Sequence, residues 1–334
     1  MVSPIKISII LPIFNEAEFL DQCFASIEAQ TYPHYEVLIS DNCSGDLSWS
    51  KAQEYQRRDP TRVRIHRFHQ PVHPFENLGQ CVKMATGDYC FHFGGDDYLK
   101  TSDFLAQSVL PMQKDANVAV HFTRLEYFDS PTGKSLRMNP PDYVEKFFSL
   151  SVPELVNTLI QETIRDDMFV ALYRTDLFLP ILMRTLNFSV ESAGWWILLQ
   201  FLIEVRLRNL RAIFDRDCHC VLMKRVNNRP HLATNGSCAA SVHEFDSPGI
   251  RAWNSVRYSF MTASLLKGQK EYGSVLRTLL FHRRSKTIGY HQYMGPGVAF
   301  LLGSYFWGRL YLRLRDATIP QIIEQQWGKR VKGA

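Results

Sequence analysis

Apolar positions recur along the first hundred residues with two alternating periods. Lys6 to Leu11 (KISIIL) is a short β-branched run, and Phe19, Leu20, Cys23, Phe24 and Ile27 then fall at helical spacing. This predicts a strand followed by a helix. Tyr35 to Ser40, Val63 to Phe68 and Tyr89 to Phe93 predict three further strands, each separated from the last by a stretch long enough for a helix. Such alternation predicts an α/β fold with a mostly parallel sheet flanked by helices on both faces. Ligands of these sheets bind beyond the carboxyl ends of the strands. The segments to inspect are therefore Pro12 to Glu16, Asp41 to Asp46 and Gly94 to Asp97.

After residue 100 the alternation weakens. The pattern predicts a helix over Asp103 to Gln113, a strand over Val118 to Phe122, a turn at Ser130 to Gly133 and mainly helical sequence beyond. Ser192 to Ile203 carries no charge and is too short to cross a bilayer, which predicts a buried helix. The expected organisation is one domain over 1–237, with halves 1–110 and 111–237, and a helical C-terminal extension over 238–334.

Composition adds little until charge is divided along the chain. The 334 residues are 46% hydrophobic and 21% charged, as in an ordinary globular protein rather than a disordered one. Of 38 Lys and Arg, 14 lie in 251–334 beside 3 of the 33 acids, so that segment carries +11 and the remainder, 24 against 30, carries −6. Within it, Phe300, Leu301, Trp307, Leu310 and Leu314 with Arg309, Arg313 and Arg315 read as an amphipathic element. It would suit an anionic membrane surface, internal packing or an oligomer contact. The aromatics lack an RNA-binding pattern, so no nucleic-acid partner is expected. The N-terminus shows no charged leader, apolar core and cleavage site, which predicts a cytoplasmic protein, peripheral on the inner membrane face if the tail docks there. Seven cysteines, an odd number in apolar stretches, read as reduced thiols. Cys218-His219-Cys220 invites a zinc reading, but its spacing equally fits alternation along a strand.

Neither G-x-G-x-x-G after the first strand nor G-x-x-x-x-G-K-[ST] occurs, so the backbone cradles used for pyrophosphate in those folds are missing. Gly94-Gly95-Asp96-Asp97 offers another counter-charge. Adjacent carboxylates at a strand end suit Mg²⁺ or Mn²⁺ bridging to phosphate, or else form an acidic turn with Asp97 capping the next helix. Asp41, at the end of LISD, is placed to accept a nucleobase N–H, or to serve simply as a turn residue.

ISIILPIFNEAEFLDQCFASIEAQTYPHYEVLISDNCSGD, followed by ENLGQCVKMATGDYCFHFGGDDYL, resembles the nucleotide-sugar-binding half of a family 2 glycosyltransferase with the GT-A fold. The resemblance is strong over 5–110 and extends more weakly to about 237. It implies that Pro12, Phe14 and Glu16 line the nucleotide pocket, that Asp41 contacts the base, and that Asn77 and Gly95 lie near the donor. Asp96 matches the last carboxylate of the family's DXD motif and would hold Mn²⁺ or Mg²⁺ with Asp97. Gly94 replaces the first DXD acid, so the ribose contact attributed to that acid is lost or supplied elsewhere. MFVALYRTDLF resembles the segment before the family's general base, which implies Glu191 in that role, with Asp166 and Asp167 as alternatives and Trp195 as an acceptor-stacking residue. MKRVNNRPHLATNGS resembles a loop closing over the donor, with Arg229 or His231 toward the diphosphate. The implied activity is inverting transfer from a nucleotide-sugar, a UDP-sugar first, to a polysaccharide or lipid-linked acceptor. Two other readings are a non-catalytic sugar-nucleotide or partner-binding module and a sugar-phosphate nucleotidyltransferase. The second would be expected to carry a glycine-rich basic loop after the first strand, which PIFNEAEF lacks.

Overall fold

In the computed structural model, residues 4–72, 74–129, 134–139, 142–161, 170–185, 193–215, 221–225 and 262–281 are described. β1 (Ile7–Ile13) pairs in parallel with β2 (Tyr35–Asp41) on one side and β4 (Tyr89–His92) on the other, and β3 (Val63–Arg67) lies beyond β2. β9 (Ala171–Arg174) runs antiparallel between β4 and β6 (Val118–Phe122), and β10 (Arg211–Phe214) extends β6 in parallel. The seven strands lie in the order β10-β6-β9-β4-β1-β2-β3. The mostly parallel sheet expected from the alternation is present.

Strand alternation divides the core into two faces. Ile7, Ile9, Leu11 and Ile13 of β1 pack with α1 (Ala17–Glu28), α2 (Ser48–Arg58) and α4 (Phe104–Lys114). Ile10 faces α3 (Pro74–Met84), α6 (Val152–Gln161), α7 (Thr175–Thr185), α8 (Ala193–Leu207) and α9 (Tyr272–Phe281), with Phe147 of α5 (Asp142–Ser149) in the same cluster. The predicted helical spacing is realised in α1, whose buried residues are Phe19, Leu20, Cys23, Phe24 and Ile27. The charge-free run becomes α8, where Ile197 to Ile203 are all buried. Among the described residues, no helix is long and apolar enough to cross a membrane.

A second sheet, which the sequence pattern does not predict, joins β5 (Asp97–Leu99), β11 (Val221–Arg225), β7 (Leu125–Asp129) and β8 (Lys134–Asn139) in that order. Two short passages lead from the first sheet into the second, from β4 to β5 through Phe93–Asp96 and from β6 to β7 through Thr123–Arg124. β4 and β6 are both antiparallel to β9 and so point the same way, toward the edge where β1 and β2 end. One strand separates the crossings in each sheet, which sets them about 10 Å apart at the usual strand spacing. Both sheets draw strands from either side of residue 110.

At the opposite edge, the buried Glu36 ties three strands and a loop together. Its Oε1 accepts hydrogen bonds from Ser8 Oγ and the Thr86 amide, both at 2.7 Å, and its Oε2 meets Lys6 Nζ and Arg64 Nη2, both at 2.8 Å. Burial opposes ionisation there. Hydrogen bonds from Lys6, Ser8 and Thr86 outweigh it and bring the carboxyl from 4.5 down to about 2.

Candidate active site

The loops after β1 and β2 are knitted together. Asn15 takes a left-handed conformation (φ 53°), which its short polar side chain tolerates. Its amide donates to Ser44 Oγ (2.9 Å) and its Oδ1 accepts from the Gly45 amide (2.9 Å). The Glu16 amide donates to Ser48 Oγ (2.8 Å) and the Ala17 amide to Asp46 Oδ2 (3.0 Å), so the opening of α1 is satisfied by the loop after β2. Asn42 fastens a third loop. Its Nδ2 donates to the Val72 carbonyl at 2.8 Å while its Oδ1 accepts from the Val72 amide at 2.7 Å, drawing the segment after β3 against the end of β2.

Asp41 closes β2 and is 0% exposed. Its Oδ2 accepts from the Ser44 amide (3.1 Å) and pairs with Arg67 Nε (3.0 Å). Arg67 is fixed in turn by the Ser44 carbonyl (2.9 Å) and by the Trp49 ring, 5.5 Å from its guanidinium carbon. Asp41 Oδ1 is buried with no hydrogen-bond partner. Burial pushes the carboxyl up from its usual range, against the Ser44 hydrogen bonds and the Arg67 charge that pull it down. An orphaned, fully buried acceptor is rare enough to call for a donor from outside the chain. Asn77, buried on α3, reaches back to the end of β1. Its Nδ2 donates to the Ile13 carbonyl (3.4 Å) and its Oδ1 is a second buried acceptor without a hydrogen-bond partner.

The Gly94-Gly95-Asp96-Asp97 segment is a tight turn between sheets. The Asp97 amide donates to the Gly94 carbonyl (3.1 Å), and the Gly94 amide donates to Asp97 Oδ2 (3.2 Å). A Cβ at Gly94 would lie 2.8 Å from both Asp96 Oδ1 and Asp97 Oδ2. The two carboxylates thus converge over the space that the missing side chain leaves. A Cβ at Gly95 would lie 2.0 Å from Glu16 Oε2 and 3.0 Å from Leu20, so glycine there allows the start of α1 to close on the turn. Cys23, beneath the turn, reports the same crowding: its thiol is pushed well up by burial and then by the charges of Asp97, Glu16 and Asp96. Burial also lowers His92, at the end of β4, to about 4, which keeps its imidazole neutral near pH 7.

Pro12, Phe14, Glu16, Asp41, Asn77, Gly95, Asp96 and Asp97 therefore share one edge, with Glu16 brought onto Gly95 and Asn77 onto the end of β1. Trp195 stands in the first turn of α8. Glu191, Asp166, Asp167, Arg229, His231, the Cys218 and Cys220 pair, and the tail over 283–315 lie outside the described residues. The sequence places Asn42 and Ser44 in the turn after the second strand without indicating their contacts, and it does not single out Arg67. Arg67 ends a strand whose pattern speaks only for burial, and nothing local links it to Asp41. Two hard carboxylates brought together at Gly94 fit a divalent cation by donor chemistry. Among the described residues, no group of three or more His, Cys, Asp or Glu is arranged to hold a metal.

The glycosyl transferase family 2 sequence profile matches residues 8–179. The "Uncharacterized glycosyltransferase EpsJ" of Bacillus subtilis (strain 168) is 32% identical over 99 residues, covering 29% of this chain and 28% of its own. The poly(ribitol-phosphate) beta-glucosyltransferase of Bacillus spizizenii is 29% identical over 102 residues, covering 30% of this chain and 16% of its own. The chain thus spans less than a third of the length of either relative. In three dimensions it is similar to S. aureus TarS 1-349 in complex with UDP-GlcNAc, with a TM-score of 0.54 and 14% identity, covering 82% of this chain and 71% of the other. At that identity the likeness is one of fold.

Proposed function

This chain belongs to glycosyl transferase family 2, and from that premise we propose that it transfers a sugar from a UDP-sugar to a polysaccharide or lipid-linked glycan, with inversion by single displacement. The observation that carries the donor reading is the orphaned Asp41 Oδ1. Uracil presents a single N–H between two carbonyls, which matches one available acceptor. Guanine presents two adjacent donors, and the second would meet an oxygen already occupied by Ser44 and Arg67. TarS, of the same fold, binds UDP-GlcNAc, which supports the same choice.

In this reading Pro12, Phe14 and Glu16 line the nucleotide pocket, Asn77 and Gly95 lie near the donor, and Asp96 with Asp97 holds Mn²⁺ or Mg²⁺. When bound, the cation neutralises the charge of the departing diphosphate. Asp96, which matches the last carboxylate of the family's DXD motif, is the principal ligand in this reading. Glu191 takes the proton of the attacking acceptor hydroxyl, and Trp195 stacks on the acceptor sugar. The basic tail over 283–315 docks on an anionic membrane surface from the cytoplasmic side.

Calorimetry with UDP, dTDP and GDP tests the donor site. UDP is expected to bind more tightly than GDP, and Asp41→Ala is expected to weaken UDP about ten- to a hundredfold. That range corresponds to the roughly 1.5–3 kcal/mol of a hydrogen bond to a charged acceptor. Equal UDP affinity in the variant would reject the assignment. For the base, Glu191→Gln is expected to retain UDP binding while transfer falls about a hundredfold, because an amide keeps the shape but takes no proton. Near-normal turnover in that variant would move the role to Asp166 or Asp167.

A further inference from the structure

The second crossing between the sheets carries two polar groups that the donor site does not use. Thr123 is 6% exposed, and its Oγ1 has no hydrogen-bond partner among the described residues. The Nε of the half-buried Arg124 is in the same state. The crossing is only two residues long, from Phe122 at the end of β6 to Leu125 at the start of β7, so neither residue can swing out on a loop. A guanidinium N–H withdrawn from water and left unpaired is costly. Glu126, two residues on along the chain, pairs with Lys100 instead.

Position decides what these groups serve. Along the site edge the order is β2 with Asp41, β1 with Pro12, β4 leading to Asp96, then β9, then β6 leading to Arg124. A nucleotide whose base sits on Asp41 and whose diphosphate sits at Asp96 occupies the span from β2 to β4. The Thr123–Arg124 crossing lies about 10 Å further on, beyond the diphosphate and on the side where the transferred sugar and the acceptor must meet.

We propose that Thr123 and Arg124 form a subsite for an anionic group, carboxylate or phosphate, carried beyond the donor diphosphate by the transferred sugar or by the acceptor. This rests on the nucleotide-sugar reading above. A guanidinium and a hydroxyl on consecutive residues supply donors of the kind that bind the oxygens of either anion. A positive charge at this place also keeps an anionic reactant from being repelled by Asp96, Asp97 and Glu16.

The test uses the full chain saturated with UDP and Mg²⁺, titrated with inorganic phosphate and with glucuronate and followed by calorimetry. Both anions are expected to bind, and Arg124→Gln is expected to weaken them at least tenfold without changing UDP affinity. Arg124→Lys, which keeps the charge, and Thr123→Val, which keeps the shape, should each give a smaller loss and guard against misfolding. UDP-glucuronate and UDP-glucose then separate the sources. A wild-type preference for UDP-glucuronate that disappears in Arg124→Gln places the anion on the transferred sugar, and equal binding of the two places it on the acceptor. Anion affinities that are absent in wild type or equal in Arg124→Gln overturn the subsite alone. A parallel fall in UDP affinity overturns it as well, by moving Arg124 to the diphosphate. Failure of UDP to bind wild type overturns the nucleotide-sugar reading itself.

Discussion

Asp96→Asn is expected to lower sugar transfer by about three orders of magnitude. The amide matches the carboxylate in size, so the turn that packs Gly95 against Glu16 and Leu20 is retained and the change is one of charge. Asp96 Oδ1 and Asp97 Oδ2 converge over Gly94, and Asp97 Oδ2 is also drawn onto the Gly94 amide. Removing the Asp96 charge therefore leaves a single, partly committed anion to hold the cation. Neutralising a leaving diphosphate is worth several kcal/mol, and a thousandfold corresponds to about 4 kcal/mol. Transfer rates measured across a Mn²⁺ titration would show the loss, with partial recovery at high metal if Asp97 still binds weakly. A variant with an unchanged rate and an unchanged metal requirement would remove Asp96 from the site.

Glu36→Gln is expected to destabilise the fold by about 2–3 kcal/mol at neutral pH without touching the site edge. The carboxylate is 5% exposed and is ionised because Lys6, Arg64, Ser8 and Thr86 surround it. Its folded value of about 2 lies below the ordinary 4.5, so its contribution is fully present above pH 4.5 and is lost as pH falls toward 2. A shift of that size corresponds to roughly 3 kcal/mol, reduced somewhat because the Lys6 and Arg64 side chains are about 40% exposed. Denaturant midpoints measured between pH 7 and pH 2 should fall more steeply in wild type than in Glu36→Gln, with the two curves drawing together toward the acid end. Parallel curves would show that the cluster carries no linkage.

The two substitutions act on a turn carboxylate just before β5 and on a carboxylate within β2, and the two were not equally legible. Asp96 announces itself, since two acids after an apolar run and two glycines have few purely structural uses. Glu36 lies inside YEVLIS, where alternation marks it only as a position on one face. Its partners Lys6, Arg64 and Thr86 are far apart in sequence, and only the register of β1 against β2 and of β2 against β3 brings them together. The second sheet was missed for a related reason. β5 is three residues long and β11 five, and β5 pairs with a segment more than a hundred residues away, so no window of sequence contains the pattern.

Periodicity along the chain determined the α/β alternation, the two-faced core and the strand ends at which Pro12, Asp41 and Asp96 stand, because burial imposes its spacing locally on each element. Hydrogen-bond satisfaction has no such local signature. Which oxygen of Asp41 is consumed depends on Arg67 arriving from β3 and on the fold of the loop around Ser44. That two carboxylates come together at Gly94 depends on a tight turn between sheets. That the Thr123 hydroxyl and the Arg124 Nε are withdrawn from water depends on a two-residue passage between layers assembled from distant strands. Each of these is a sum over partners remote in sequence, so only the tertiary structure decided which polar groups were left for a ligand.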